Sequence, residues 1–245
     1  LHRILLVKIG LVGPSYQEYS LPFNAERSVN LFPVMDKSGK EVSALYGTPG
    51  KALFGVAGVG GCRASFASQN GRGFVVSGST LYEVDNAGAT TVRGSLNQSS
   101  GNVSIAENPT QLAICDGVTV YIFTYSSNGF AQVTSTNLPI SGTICFLDGY
   151  FIVNQVGTGT FYISGLNDGT SWGALDFATA ESSPDSLFRV YNALGQLWLL
   201  GSKTSEIWSN TGNSEFPFQR ISGAKLEVGI LAPYTAVAVN SSIIW

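Results

Sequence analysis

Leu197-Trp198-Leu199-Leu200-Gly201-Ser202-Lys203-Thr204-Ser205-Glu206-Ile207-Trp208 is an apolar run, a Gly-Ser-Lys break and a second run that closes on tryptophan. Two short strand-like runs around a tight, glycine-containing break read as a β-hairpin. The same design recurs at residues 74–84 and 112–123, and more loosely at 145–153. A fifth copy begins at residues 237–245, where the sequence stops.

Working outward from these hairpins gives four-strand units. The first takes in residues 62–68, 73–77, 80–85 and 90–96; the second 103–107, 111–115, 118–124 and 130–134. The third takes in 143–147, 150–156, 160–164 and a degenerate segment after Trp172; the fourth 187–191, 196–201, 205–209 and 218–222. Aligned on Cys62, Ser104, Thr143, Phe188 and Ala236, the units are spaced 42, 39, 45 and 48 residues apart. A period near 40 to 45 with four strands per unit is the pattern of β-propeller blades. A β-sandwich lacks such a period, and a β-helix has shorter, more regular coils. The expected fold is therefore all-β: a propeller of four-stranded antiparallel blades, incomplete here, with four blades and the start of a fifth. Residues 174–181, rich in good helix formers, are expected to form a short helix. Ending on Ile243-Ile244-Trp245 implies a truncated chain or part of a longer one. Docking of residues 44–56 as an outer strand of the last blade is the other route to closure.

Composition agrees. Of 245 residues, 44% are hydrophobic and only 12% charged, too apolar for disorder and too weakly charged for a helix-rich surface. The 29 glycines fall mostly between apolar runs, as many short strands require. The net charge of −3 supplies no basic stripe for gripping DNA. Cys62, Cys115 and Cys145 are odd in number and widely spaced, and are expected as buried, reduced thiols. No apolar run reaches the roughly 18 residues of a membrane-spanning helix. Residues 1–10 have only a faint likeness to a signal peptide, interrupted by Lys8. Residues 1–6 are expected to be carried over from upstream, with Val7-Lys8-Ile9 the natural start.

Residues 1–60 form an expected N-terminal arm and 61–245 the blades. Prolines at 14, 22, 33 and 49 punctuate the arm, and proline blocks helix interiors and central strands. The arm thus reads as extended with turns. Its aromatics need a surface to cover, and Tyr16, Tyr19, Phe23 and Phe32 are the candidate interaction residues, on their own blades or a neighbouring subunit.

Chemistry is sparse. His2 is the one histidine, which argues against a Ser-His-Asp or Cys-His site and against histidine-rich metal centres. Gly58-Val59-Gly60-Gly61 lacks the Lys-Ser/Thr of a P-loop and reads as a turn. Asp116-Gly117, Asp148-Gly149 and Asp168-Gly169 read as turn dipeptides. Glu206 is expected at a blade interface, paired with Arg220 or Lys203. Residues 165–172, Gly-Leu-Asn-Asp-Gly-Thr-Ser-Trp, resemble the Asp box of sialidase-type propellers, a structural turn away from any catalytic centre; Gly165 and Asn167 depart from its pattern. No catalytic, cofactor or metal residue is assigned.

Several stretches, taken in order, resemble one family. They are Ser28-Val29-Asn30-Leu31-Phe32-Pro33, Thr48-Pro49-Gly50, residues 146–151, 168–172 and 180–185, then residues 201–208, Asn210-Thr211-Gly212 and Phe216-Pro217-Phe218. The family is that of the packaged-DNA stabilisation or tail hub proteins of short-tailed bacteriophages, and the resemblance runs from about Gly10 to the last residue. It implies a structural, non-enzymatic virion protein of the tail, made in the bacterial cytoplasm. It implies a homomeric ring of six that meets the portal-adaptor ring, receives the tail needle, neighbours a tailspike and lets packaged DNA pass through without specific binding or a membrane. A mildly acidic channel would let that DNA slide. The alternative is a carbohydrate-binding or glycoside-hydrolysing propeller.

Overall fold

The structure, a computed structural model, describes residues 30–35, 42–180, 184–240 and 242–245. The chain divides into two compact units, Leu1–Leu53 and Phe54–Trp245.

In the first unit, β1 (Leu31–Met35) and β2 (Val42–Gly47) form an antiparallel hairpin. This strand pair lies in the segment read from its prolines as extended with turns. Pro33 lies in β1 opposite Leu45, and a two-stranded ribbon leaves each strand a free edge where a missing N–H is tolerated. Ala44 to Gly47, expected as part of an outer blade strand, pair here with Val34 to Leu31. The Thr48 amide donates to Asn30 O at 2.9 Å and ties the open end. Tyr16, Tyr19 and Phe23 lie outside the described residues, as does the Phe32 side chain.

The second unit is a β-propeller. Blade one comprises β3 (Cys62–Ala67), β4 (Gly73–Ser77), β5 (Thr80–Val84) and β6 (Thr90–Ser95). Blade two comprises β7 (Ser104–Glu107), β8 (Gln111–Cys115), β9 (Val120–Thr124) and β10 (Gly129–Gln132). Blade three comprises β11 (Ser141–Leu147), β12 (Tyr150–Gln155), β13 (Thr160–Ile163) and β14 (Phe177–Thr179). Blade four comprises β15 (Leu187–Ala193), β16 (Gln196–Gly201), β17 (Ser205–Asn210) and β18 (Phe218–Leu226). A two-stranded hairpin, β19 (Val237–Val239) and β20 (Ser242–Ile244), follows. Within every blade the strands neighbour one another in sequence order, all antiparallel.

The middle strands show why the hairpins read as continuous apolar runs rather than alternating ones. Leu112, Ala113, Ile114 and Cys115 of β8 are all fully buried. A middle strand packs a neighbouring blade on each face, so both side-chain sets need apolar partners. The resulting cores lie between blades: Phe74, Leu81, Tyr121 and Phe123 between one and two; Ile122, Phe151 and Trp172 between two and three; Phe161, Leu197 and Trp208 between three and four. Leu200, Ile230 and Ala236 seat the last hairpin.

Residues 174–181 are not a helix. Phe177–Thr179 pairs with Thr160–Tyr162 as the fourth strand of blade three, and Phe177 stacks on Tyr162 at 5.4 Å. An isolated helix of eight residues is marginal in water, whereas β13 offers a ready edge. Residues 54–60, assigned by sequence to the arm, run beside blade one: Thr90 Oγ1 donates to Val56 O at 3.3 Å and Ser77 Oγ to Gly60 O at 2.9 Å.

The turns sort into two faces of the blade array. The turns between second and third strands meet the links between blades: Gly78 N donates to Gly61 O, Ser141 N to Val118 O and Ile230 N to Gly201 O. The other turns meet on the opposite face: Arg72 Nη2 donates to Asn128 Oδ1, and Asn167 N to Gly149 O.

Candidate functional site

The first strands of the blades, β3, β7, β11 and β15, border a cavity of about 520 Å3 at the propeller axis. Its walls are mixed: Phe66, Ile105, Ile144 and Phe146 are apolar, Gln69, Ser104 and Asn192 polar, and Glu107 and Arg189 are its charged residues. That volume is in the range of small-ligand clefts.

Arg189 and Tyr191 sit two residues apart on β15 and so share a face. The guanidinium lies 4.2 Å from the Tyr191 ring centroid and 5.9 Å from that of Tyr234, and its Nη1 donates to Ala236 O at 2.8 Å. Burial holds the Arg189 pKa below the usual arginine value, with the two tyrosines acting against it. Burial also raises Tyr234. Glu107 is fully engaged in the seam beside the cavity: it accepts from Ser68 Oγ, from Tyr125 Oη at 2.7 Å and from Gln69 N at 2.8 Å. Sequence reading passed over Arg189; its usable signal was the tyrosine at i+2 on a first strand.

Hydroxyl and amide side chains stitch the first strands together. Ile144 N donates to Ser104 Oγ at 2.9 Å, and Val190 N to Thr143 Oγ1 at 3.1 Å. Ser104 and Thr143 are two of the positions on which the sequence units align, so the repeat marks a bond between blades as well as a strand. Asn154, 2% exposed, accepts from Thr143 N and Oγ1 and donates to Leu187 O at 3.0 Å.

The remaining sequence candidates are accounted for structurally. In the Asp-box-like loop, Asp168 Oδ1 accepts from Thr170 N at 2.9 Å, Thr170 Oγ1 at 2.7 Å and Gln111 Nε2 at 3.3 Å. The Thr170 hydroxyl is the chief cause of its lowered pKa. Trp172 Nε1 donates to Gly169 O while its ring fills the core between blades two and three. The carboxylate thus shapes a turn. Of the three Asp-Gly pairs, Asp148-Gly149 has both residues at positive φ, 49° and 92°. In the second, only Gly117 is there, and Asp116 Oδ1 instead accepts from Val118 N and Thr119 N.

Glu206, 2% exposed, accepts from Trp208 Nε1 at 2.9 Å. That indole, two residues along the same strand face, was not anticipated as a partner. Cys115 and Cys145 are buried free thiols, each pushed up to about 12 by desolvation. Cys62 is free but exposed, contrary to expectation, because it opens β3 at the register shift before Ala64. His2 lies outside the described residues. Among the described residues no group of three or more His, Cys, Asp or Glu is placed to hold a metal ion.

Sequential four-stranded meanders, packed blade on blade around an axial cavity, define the chain as a β-propeller protein. The family model described as "Bacteriophage P22 Gp10, beta-propeller" matches residues 7–245, and the chain belongs to that family of phage stabilisation proteins. It is accordingly a phage structural protein of the virion. Solved structures with a similar fold include YCF48 bound to D1 peptide, at 14% identity and TM-score 0.48, covering 76% of this chain and 60% of that one. The computationally designed Ika4 protein matches at 11% identity and TM-score 0.49, covering 66% and 99%. The extracellular domain of the one-component system BT4673 from B. thetaiotaomicron matches at 14% and 0.49, covering 74% and 25%. This chain therefore spans about 60% of the YCF48 structure. No curated protein matches it.

Proposed function

We propose that the chain is a subunit of the hub of a short-tailed phage tail: a ring of six that continues the portal-adaptor channel, receives the tail needle and retains packaged DNA. Family membership carries the reading. Surface chemistry supports it. The face holding the inter-blade links exposes Val59, Val118, Ile140, Val156, Val228 and Leu231. Such an accumulation of aliphatic side chains fits a surface covered by other proteins. On the opposite turns, Asp85, Asp148 and Glu215 are exposed. Carboxylates repel phosphates and suit DNA that must slide.

Blade-on-blade cores give each subunit the stiffness that internal DNA pressure demands. Tyr16, Tyr19, Phe23 and Phe32 are the proposed contacts to a neighbouring subunit, with a tailspike as a further neighbour. No residue is assigned a catalytic role.

Complementation of particles lacking the protein tests the reading. The wild-type chain in its full-length form should restore needle attachment and DNA retention, and co-sediment with adaptor-bearing tails as a six-fold ring. Particles that hold their DNA without it would refute the assignment. The variant carrying Phe23→Ala and Phe32→Ala should melt normally as a monomer yet fail to join tails; wild-type incorporation would remove these aromatics from the interface.

A further inference from the structure

We propose that the axial cavity binds a carboxylate carried on a short apolar peptide segment of a partner protein, with Arg189 as the recognising residue. This does not depend on the hub reading.

The charge pattern motivates it. Among the described residues, the ion pairs are made by Arg72, Arg93 and Lys225, and no carboxylate is paired with Arg189. A guanidinium carries five N–H donors, and a single hydrogen bond, to Ala236 O, is formed here. A half-buried cation without a counter-ion is costly to keep. Glu107, the one other charged residue of the cavity, is already saturated by Ser68, Gln69 and Tyr125. The cavity therefore presents an uncompensated positive charge beside the apolar side chains of Phe66, Ile105 and Phe146.

The chemistry of the occupant follows. Nucleic acid is held by several cations spread along its phosphates, and this site has one. A planar monoanion matches the guanidinium fork, which favours bidentate carboxylate binding. The volume of about 520 Å3 lies in the range of small-ligand clefts and has room for two or three residues around that group. Phe66, Ile105 and Phe146 would cover apolar neighbours of the acid, and Tyr191 and Tyr234 hold the guanidinium laterally.

The full chain can be tested on an array of N-acetylated hexapeptides, each with one Asp or Glu among Ala, Leu and Phe, beside a matched Asn or Gln set. Acidic members should bind at least ten-fold more strongly than their amide twins. Arg189→Gln should erase that preference while its melting curve stays cooperative, and Arg189→Lys should retain part of it. Equal binding of acid and amide peptides to the unmodified protein, a measurement independent of any variant's folding, would overturn the proposal. So would an unchanged preference in a folded Arg189→Gln protein, or displacement of the acidic peptides by a DNA oligonucleotide at equal concentration.

Discussion

A charged cluster internal to blade one borders its contact with blade two, whereas blade two meets blade three chiefly through amides, with one carboxylate, Asp168, accepting from Gln111. In the first seam, Arg72 grips Glu83 with Nε and Nη2 at 2.7 and 2.6 Å, donates to Asn128 Oδ1 across the seam and lies 5.1 to 5.6 Å from the ring centroids of Phe74, Phe123 and Tyr125. Arg93 adds a second cation to Glu83. Nearby, Arg63 donates to Gly78 O, Gln98 O and Gly101 O. In the second seam, Asn108 Nδ2 donates to Asn167 O at 3.0 Å, Gly169 N to Gln111 Oε1 at 2.8 Å and Asn137 Nδ2 to Trp172 O at 2.9 Å. Both seams bury comparable aromatic cores. One blade geometry thus accommodates both polar surroundings, and the two should respond differently to truncation and salt.

The largest effect is expected where the seams are alike. Phe151→Ala in the second seam and Phe123→Ala in the first each remove a fully buried ring, and each should cost about 3–5 kcal/mol in urea unfolding. Near equality would show that packing dominates both; a much smaller loss at one would mark that seam as loosely packed.

Polar truncation should then separate them. Arg72→Met removes the bidentate pair and the ring contacts, leaving Glu83 with Arg93. With the pair mostly buried, at 22% and 17% side-chain exposure, a loss of about 1–3 kcal/mol is expected, shrinking in 1 M salt. Gln111→Ala in the second seam should cost about 1–2 kcal/mol with little salt dependence. A salt-independent Arg72→Met loss would assign the effect to packing on the rings.

Acid should weaken blade one where it borders the first seam. The Arg72 hydrogen bond, aided by Arg93, holds the Glu83 pKa below its ordinary value. A depressed carboxylate contributes stability that is present above its unfolded pKa, about 4.3, and lost as pH falls through the folded value. Unfolding midpoints measured from about pH 5 to pH 3 should therefore decline, and Glu83→Gln should flatten the decline. Asp168, held low chiefly by Thr170 in its own loop, loses its share in the same window, so the flattening will be partial.

The smallest effects concern single groups. Leu194 holds φ of 56° in the turn between β15 and β16, where leucine is strained; Leu194→Asn should stabilise by about 1 kcal/mol in thermal melts. Native thiol titration should show fast reaction at Cys62 alone, with Cys115 and Cys145 reacting after unfolding.

Leu194 also shows where sequence reading stops. Asp148-Gly149 could be recognised as a turn because both residue types tolerate positive φ, but Leu194-Gly195 adopts positive φ at both residues without that signature. Residues 174–181 carry helix-forming composition and become an edge strand, because the neighbouring β13 supplies hydrogen bonds that composition cannot register. Family membership was readable from scattered short motifs, since those turns and strand ends recur in a fixed order.

By itself the sequence determined the blades. Alternation of apolar runs and glycine-bearing breaks is local, and its period of about 40 residues survives in any conformation of the chain. Tertiary structure alone decided that Arg72 reaches Asn128 of the next blade while it grips Glu83 of its own. It turned an aspartate box into a clamp on Gln111 and left Arg189 without a counter-ion at the axial cavity. Those outcomes depend on side chains tens of residues apart in sequence meeting across blades, and no local pattern encodes the distance between them.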